Sequence, residues 1–142
     1  MRIAVVIPAL DERDELPATV SRLQGLDPRP SQVVVADGGS RDGTREWLAG
    51  HADAWLSVVD APRGRGNQMN VAAATVTSAE VLLFLHADAA LPRDALARVE
   101  RALESPRVTG GAFTIRFAPR PGAPRSMPIV ARGINARTWV TR

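Results

Sequence analysis

The side chains with the most chemistry to offer stand just after short apolar runs. His86 and Asp88 follow Val81-Leu82-Leu83-Phe84-Leu85 and lie two positions apart. In a strand that spacing puts both on one side. An acid at the carboxyl edge of a parallel sheet is where open α/β folds bind ligands. A carboxylate there suits Mg²⁺ or Mn²⁺, hard cations that favour oxygen. The structural alternative makes Asp88 the cap of a helix opening near Leu91-Pro92-Arg93-Asp94, and spacing alone does not choose between the two.

Asp37-Gly38-Gly39 follows a second apolar run. Paired glycines let the backbone turn sharply and approach a ligand closely. Ser40, Asp42 and Thr44 could cap the next helix. A capped turn does not need an Asp followed by two glycines, which favours a site. The third cluster is Arg63-Gly64-Arg65-Gly66-Asn67-Gln68-Met69-Asn70. Free N–H groups, the positive end of a helix dipole and guanidinium forks all favour an anion there, phosphate above all. It is not a dinucleotide fingerprint, because Met69 stands where the third glycine belongs. A flexible turn with surface arginines is its alternative.

These clusters need elements to position them. Residues 2–7, 32–36, 55–59 and 81–85 read as buried strands, the first ended by Pro8, and residues 112–117 alternate large and small as a fifth. Leu16, Val20 and Leu23 predict a helix over 14–24, with Pro17 in its first turn and Gly25 as its C-cap. Further helices are predicted around Trp47 and Leu48, through residues 71–74, and over 92–104. Residues 119–128 read as irregular and 129–140 as weakly helical. The order β-α-β-α-β-α-β-α-β predicts an α/β fold with a mostly parallel, doubly wound sheet flanked by helices. Asp11, Glu12 and Asp37, the arginine loop, and His86 with Asp88 then converge on one sheet edge. Carboxylates, a divalent metal and arginines together suit a pyrophosphate ligand.

Composition narrows the classes. A length of 142 residues predicts one domain, 1–142. No Cys is present and only two His, which excludes disulfides and a multi-histidine zinc centre within this chain. Every basic residue is Arg, so a P-loop lysine and Schiff-base chemistry are excluded. The opening apolar run is short and gives way to acids, as a strand does and a signal peptide does not. No apolar stretch is long enough to span a membrane. These features predict a soluble cytoplasmic protein. The net charge of +3 is uneven: residues 1–104 hold 11 Arg and 15 acids, whereas residues 105–142 hold 7 Arg and no acid. That basic tail can face an anionic substrate, the inner face of a membrane as a peripheral contact, or nucleic acid, and it can equally be solvated. Nucleic acid is disfavoured, since aromatic platforms there are confined to Phe113, Phe117 and Trp139.

Four motifs in order, V-V-I-P-A-L-D-E, A-D-G-G-S-R-D-G-T, R-G-R-G-N-Q-M-N and L-F-L-H-A-D, resemble glycosyltransferase family 2. With G-G-A-F, the set is most similar to small bacterial members associated with arsenosugar biosynthesis or selenodomain proteins. The resemblance covers nearly the whole chain. It implies a GT-A, Rossmann-like fold and an enzyme, hexosyltransferase-like, that takes a nucleotide-diphosphate sugar, UDP-linked by expectation, with Mg²⁺ or Mn²⁺. Carried over residue by residue, the acidic loop falls on Asp11 and Glu12 and the base-contacting acid on Asp37. The arginine near the nucleotide falls on Arg63 or Arg65, with Arg65 preferred. Pro8, Gly38, Asn70 and His86 complete the expected donor contacts, and Asp88 is the expected metal ligand of a D-x-D motif whose first acid is replaced by His86.

The general base that inverting members use, an Asp or Glu, is expected after a stretch like Asn135-Ala136-Arg137. No acid follows Glu104, so the expectation is a donor-binding portion of a transferase whose acceptor and base segment lies outside this chain. Surface left uncovered by that segment makes self-association a further expectation. The acceptor is not legible. Two other classes stand beside this one. One is a non-catalytic nucleotide-binding module. The other is a sugar nucleotidyltransferase, which should open with a glycine-rich basic loop where this chain has Pro8-Ala9-Leu10-Asp11-Glu12.

Overall fold

The computed structural model describes residues 1–117. The chain separates into two compact units, Met1–Ala102 and Leu103–Arg142. The first is built from β1 (Ile3–Ala9), α1 (Leu16–Gln24), β2 (Gln32–Asp37), α2 (Thr44–His51), β3 (Leu56–Asp60), α3 (Arg65–Thr75) and β4 (Val81–Phe84), with α4 (Ala95–Leu103) ending across the boundary. All four strands are parallel, in the order β3-β2-β1-β4. Every strand therefore ends at the same edge. Register places Ala9, Asp37 and Asp60 side by side there.

β1 and β2 are central and apolar because both of their faces are covered. On one face Ile3, Val5, Ile7, Val33 and Val35 meet Leu16, Val20 and Leu23 of α1, Leu48 of α2 and Leu96 of α4. On the other, Val6, Val34 and Ala36 meet Ala72 of α3. This is how a parallel sheet hides strands that lack polar alternation.

Several expectations need correction. Pro8 does not end β1; it pairs with Ala36 inside the strand. The carbonyls of Arg2 and Val6 accept hydrogen bonds from the β4 side, whereas those of Ile3 and Ala9 face the β2 side. Pro8 therefore points its missing N–H towards β4, beyond Phe84, the last residue of that strand, and no ladder bond is lost. Among the described residues β4 is an edge strand, not a buried one: Leu82 is 38% and Phe84 49% exposed. An apolar run alone does not tell an edge from a centre. Residues 112–117 form no β-strand. Alternation supplies propensity, but a strand exists only where a neighbour takes up its backbone groups. Within the described residues the order thus stops at β-α-β-α-β-α-β-α. The weak helix expected over 129–140 and the irregular stretch 119–128 lie outside the described residues. Of the second unit, residues 103–117 hold the end of α4 and a turn in which Val108 N–H donates to Ser105 O at 3.0 Å.

Candidate functional site

The site begins with two loops bound to each other. After β1, Asp11 takes a left-handed φ of 55°, a conformation that Asp tolerates. Its N–H donates to Ser40 Oγ at 2.9 Å, and its Oδ1 accepts from Arg41 N–H at 2.7 Å. Glu12 N–H donates to Thr44 Oγ1 at 3.0 Å and Arg13 N–H to Asp42 Oδ2 at 2.9 Å. Asp42 also accepts from the N–H and hydroxyl of Thr44. These bonds, the Thr44 hydroxyl foremost, hold the Asp42 carboxyl below its ordinary value. α2 starts at Thr44 behind Gly43, whose φ is 95°. Of the three expected caps, only Asp42 accepts the first helical N–H; Ser40 turns to Asp37 and Asp11 instead.

Asp37 is 1% exposed. It accepts from Gly39 N–H, Ser40 N–H and Ser40 Oγ, and lies 3.4 Å from Arg45, which also pairs with Asp60 at 2.7 Å. Gly39 makes the turn with a φ of 93°. Gly38 serves a different need. A Cβ there would stand 2.9 Å from Gln68 Nε2, so the close approach it permits is to a side chain of α3.

Gln68 was not expected from the motifs. It is 3% exposed and donates from Nε2 to Ala9 O at 2.6 Å and to Ala36 O at 3.0 Å. One carboxamide thus fixes α3 to the ends of both central strands. A signal was present: Gln68 stands four residues before Ala72, on the helix face that packs on the sheet.

At the carboxyl edge a cavity of about 250 Å³ opens between these elements. Pro8, Leu10 and Glu12 wall it from the β1 side, Arg63, Arg65 and Gln68 from the start of α3, and His86 and Asp88 from the end of β4. The structure therefore brings together Pro8, Glu12, Arg63, Arg65, His86 and Asp88. It does not bring Asp11, Asp37, Gly38 or Asn70 to that wall; Asn70 is exposed on α3. A larger hollow of about 380 Å³ lies elsewhere, between α2 and β3, and collects Asp37, Arg45 and Asp60, where the guanidinium is already paired with both acids.

α3 points its first turn into the cavity. Gly64 precedes it with a φ of 126°, and Gln68 N–H closes the first turn on Gly64 O at 2.9 Å. The N–H groups ahead of it have no intrahelical partner, as at any helix start. Asp88 does not cap α4, which begins at Ala95; its carboxylate is exposed at the cavity rim. Glu12 is held above its ordinary carboxyl value, first by burial, then by the negative charges of Asp88 and Glu15, with Arg65 acting in the opposite sense. Two acids facing one space, with arginines across from them, form a place for a cation and an anionic ligand together. Among the described residues no three His, Cys, Asp or Glu gather into a complete metal cage. No helix among them is long and apolar enough to cross a membrane.

Residues 4–140 match Glycosyl transferase family 2. The mannosyltransferase PcManGT from Pyrobaculum calidifontis, solved with GDP-Man and Mn²⁺, superposes with a TM-score of 0.64 at 32% identity, over 75% of this chain and 33% of that one. TarS 1–349 of S. aureus superposes with a TM-score of 0.63 at 22% identity, over 73% of this chain and 32% of that one, and so speaks to the fold. The succinoglycan biosynthesis protein ExoA of Rhizobium meliloti (strain 1021) is 49% identical over 43 residues, which are 30% of this chain and 13% of that protein. The chain spans about a third of the two structures and less of ExoA.

Proposed function

The chain belongs to glycosyltransferase family 2, and from that premise we propose that it forms the donor-binding part of a metal-assisted transferase that moves a sugar from a nucleotide-diphosphate sugar to an acceptor hydroxyl. The observation that carries this reading is the single cavity where Glu12, Arg63, Arg65, His86 and Asp88 meet. PcManGT holds GDP-Man and Mn²⁺ on the same fold. UDP is our first choice of carrier and GDP the alternative.

In this reading Arg63, Arg65 and the first N–H groups of α3 take the diphosphate, through charge-assisted hydrogen bonds and the helix dipole. His86 contacts phosphate or sugar from the opposite wall. The donor set fits a hard divalent cation. Asp88 offers an exposed carboxylate, and the mutual repulsion of Asp88 and Glu12 is relieved by positive charge. With no protein cage among the described residues, Asp88 would hold Mg²⁺ or Mn²⁺ together with phosphate oxygens and water, as Mg²⁺ sites commonly do. Such an ion supplies stabilisation of the charge that grows on the leaving diphosphate. The arginines share that task and orient the donor so that its anomeric carbon faces the acceptor. The basic sequence of residues 105–142 supports action beside an anionic surface, such as the inner face of a membrane.

Calorimetric titration of UDP with Mn²⁺ into the chain and into Asp88→Ala tests the reading. Metal-dependent binding that the substitution abolishes is the expected result. Equal binding by both proteins removes Asp88 as the metal ligand. Failure of the folded chain to bind either UDP or GDP refutes the donor site.

A further inference from the structure

We propose that the carboxamide oxygen of Gln68 is a fixed hydrogen-bond acceptor for the nucleoside portion of the donor, receiving either an N–H of the base or an O–H of the ribose. The inference rests on the donor-site reading above and assigns that site a residue that reads the ligand.

The carboxamide is locked. Both of its N–H groups are taken, one by Ala9 O and one by Ala36 O. A flip would set its oxygen against two carbonyl oxygens, so the acceptor can face only the other way. Among the described residues Oε1 accepts no hydrogen bond. Yet none of the described residues leaves a fully buried polar side-chain atom without a partner. Gln68 lines the cavity, and we infer that its oxygen keeps contact with that space. An acceptor held this way costs little to organise when a ligand arrives, and a ligand without the matching donor leaves it unpaired.

Its position selects the nucleoside. Strand order runs β3-β2-β1-β4. Asp88 follows β4, on one side of β1, while Gln68 bridges β1 and β2 on the other. A diphosphate held between Arg65 and Asp88 leaves the nucleoside to extend over the ends of β1 and β2. Asp37, at the end of β2, has its carboxylate already engaged by Gly39, Ser40 and Arg45. The acceptor role that family resemblance gives to Asp37 is better met by Gln68 Oε1.

The test pairs ligand changes with a protein change. Calorimetry in Mn²⁺ compares wild type with Gln68→Met, which keeps the chain length and removes the amide. The ligands are UDP, its base N-methylated form, and its 2′-deoxy and 3′-deoxy forms, or the GDP series if wild type prefers GDP. One analogue should bind wild type about tenfold more weakly than its parent, and should bind Gln68→Met as well as the parent does. Loss on base methylation identifies the base N–H; loss on deoxygenation identifies a ribose hydroxyl. Identical analogue losses in both proteins, with normal binding of the parent, overturn the contact and leave the donor site standing. No binding of UDP or GDP to wild type overturns both. If Gln68→Met does not fold, the side-chain amide signals of Gln68 in ¹⁵N-labelled wild type decide. They should shift with the parent nucleotide and much less with the discriminating analogue. Signals unmoved by a bound nucleotide overturn the contact.

Discussion

Gly38 and Gln68 occupy each other's space: a Cβ on Gly38 would sit 2.9 Å from Gln68 Nε2 and 3.3 Å from its Oε1. Gln68 cannot yield without giving up its bonds to Ala9 O and Ala36 O. Gly38→Ala should therefore destabilise the fold by about 1–3 kcal/mol, the usual range for overpacking. Gly38→Ala combined with Gln68→Ala should lose less than the two single variants summed, because the second removes the obstacle to the first. Urea denaturation of the four proteins measures both. Strict additivity would show that the two residues do not compete for space.

The arginines at the start of α3 are expected to matter unequally with their neighbours. Arg65 opens the helix, lines the cavity and acts on the charge of Glu12. Arg65→Ala should weaken UDP binding in Mn²⁺ by about 10- to 100-fold, the range for losing charge-assisted hydrogen bonds. Arg65→Lys should restore part of this, since an ammonium keeps the charge but loses the fork. Asn70→Ala, on an exposed part of the same helix, should change affinity by less than about twofold. Calorimetry on the three variants suffices, and a large Asn70 effect would show that the cavity extends further along α3 than its walls indicate.

Acid should loosen the stitching of the two loops. The Asp42 carboxyl sits below its ordinary value of 3.8 because Thr44 and Arg13 donate to it. A depressed carboxyl stabilises the fold above the unfolded-state value, and that contribution disappears as pH falls through the folded-state value. The unfolding temperature should therefore drop as pH falls from about 4, where the unfolded chain takes up its proton first, and on through the lowered folded-state value. Asp42→Asn should lower it at pH 7 and flatten the drop. An unchanged pH profile in that variant would place the acid-sensitive group elsewhere.

The sequence revealed the frame of this molecule more readily than the details of its site. Four strands and four helices were readable from apolar runs and helical spacing, although the run at 81–85 did not tell an edge from a centre. Residues 2–7 and 32–36 match β1 and β2 closely. Loop roles were harder to read. Asp11 and Asp37 look like ligand contacts by type, and in the structure each also accepts backbone N–H groups of the β2–α2 turn. For Asp11 that use follows from the proximity of two loops 30 positions apart, whereas Asp37 closes its own turn on Gly39 and Ser40. Gln68 was missed for the opposite reason. Its type suggests a surface, although its place four residues before Ala72 puts it on the face of α3 that packs on the sheet. The placement of Arg63, Arg65, His86 and Asp88 beside one cavity follows from the strand ends that precede them.

Phe84 offers the last check, on the outer strand itself. It is 49% exposed on β4, on the sheet face where Val6, Val34 and Ala36 pack against Ala72 of α3. Val6, on the same face, is fully buried. If that part of the face is bare in solution, Phe84→Ser should cost less than about 1 kcal/mol, because little apolar area leaves the interior. Val6→Ala should cost more, about 1–3 kcal/mol, since it opens a cavity beside Ala72. Denaturant unfolding of the whole 142-residue chain gives both numbers. A cost at Phe84 above that of Val6 would mean that another part of the chain, or a second copy, packs over β4 in solution.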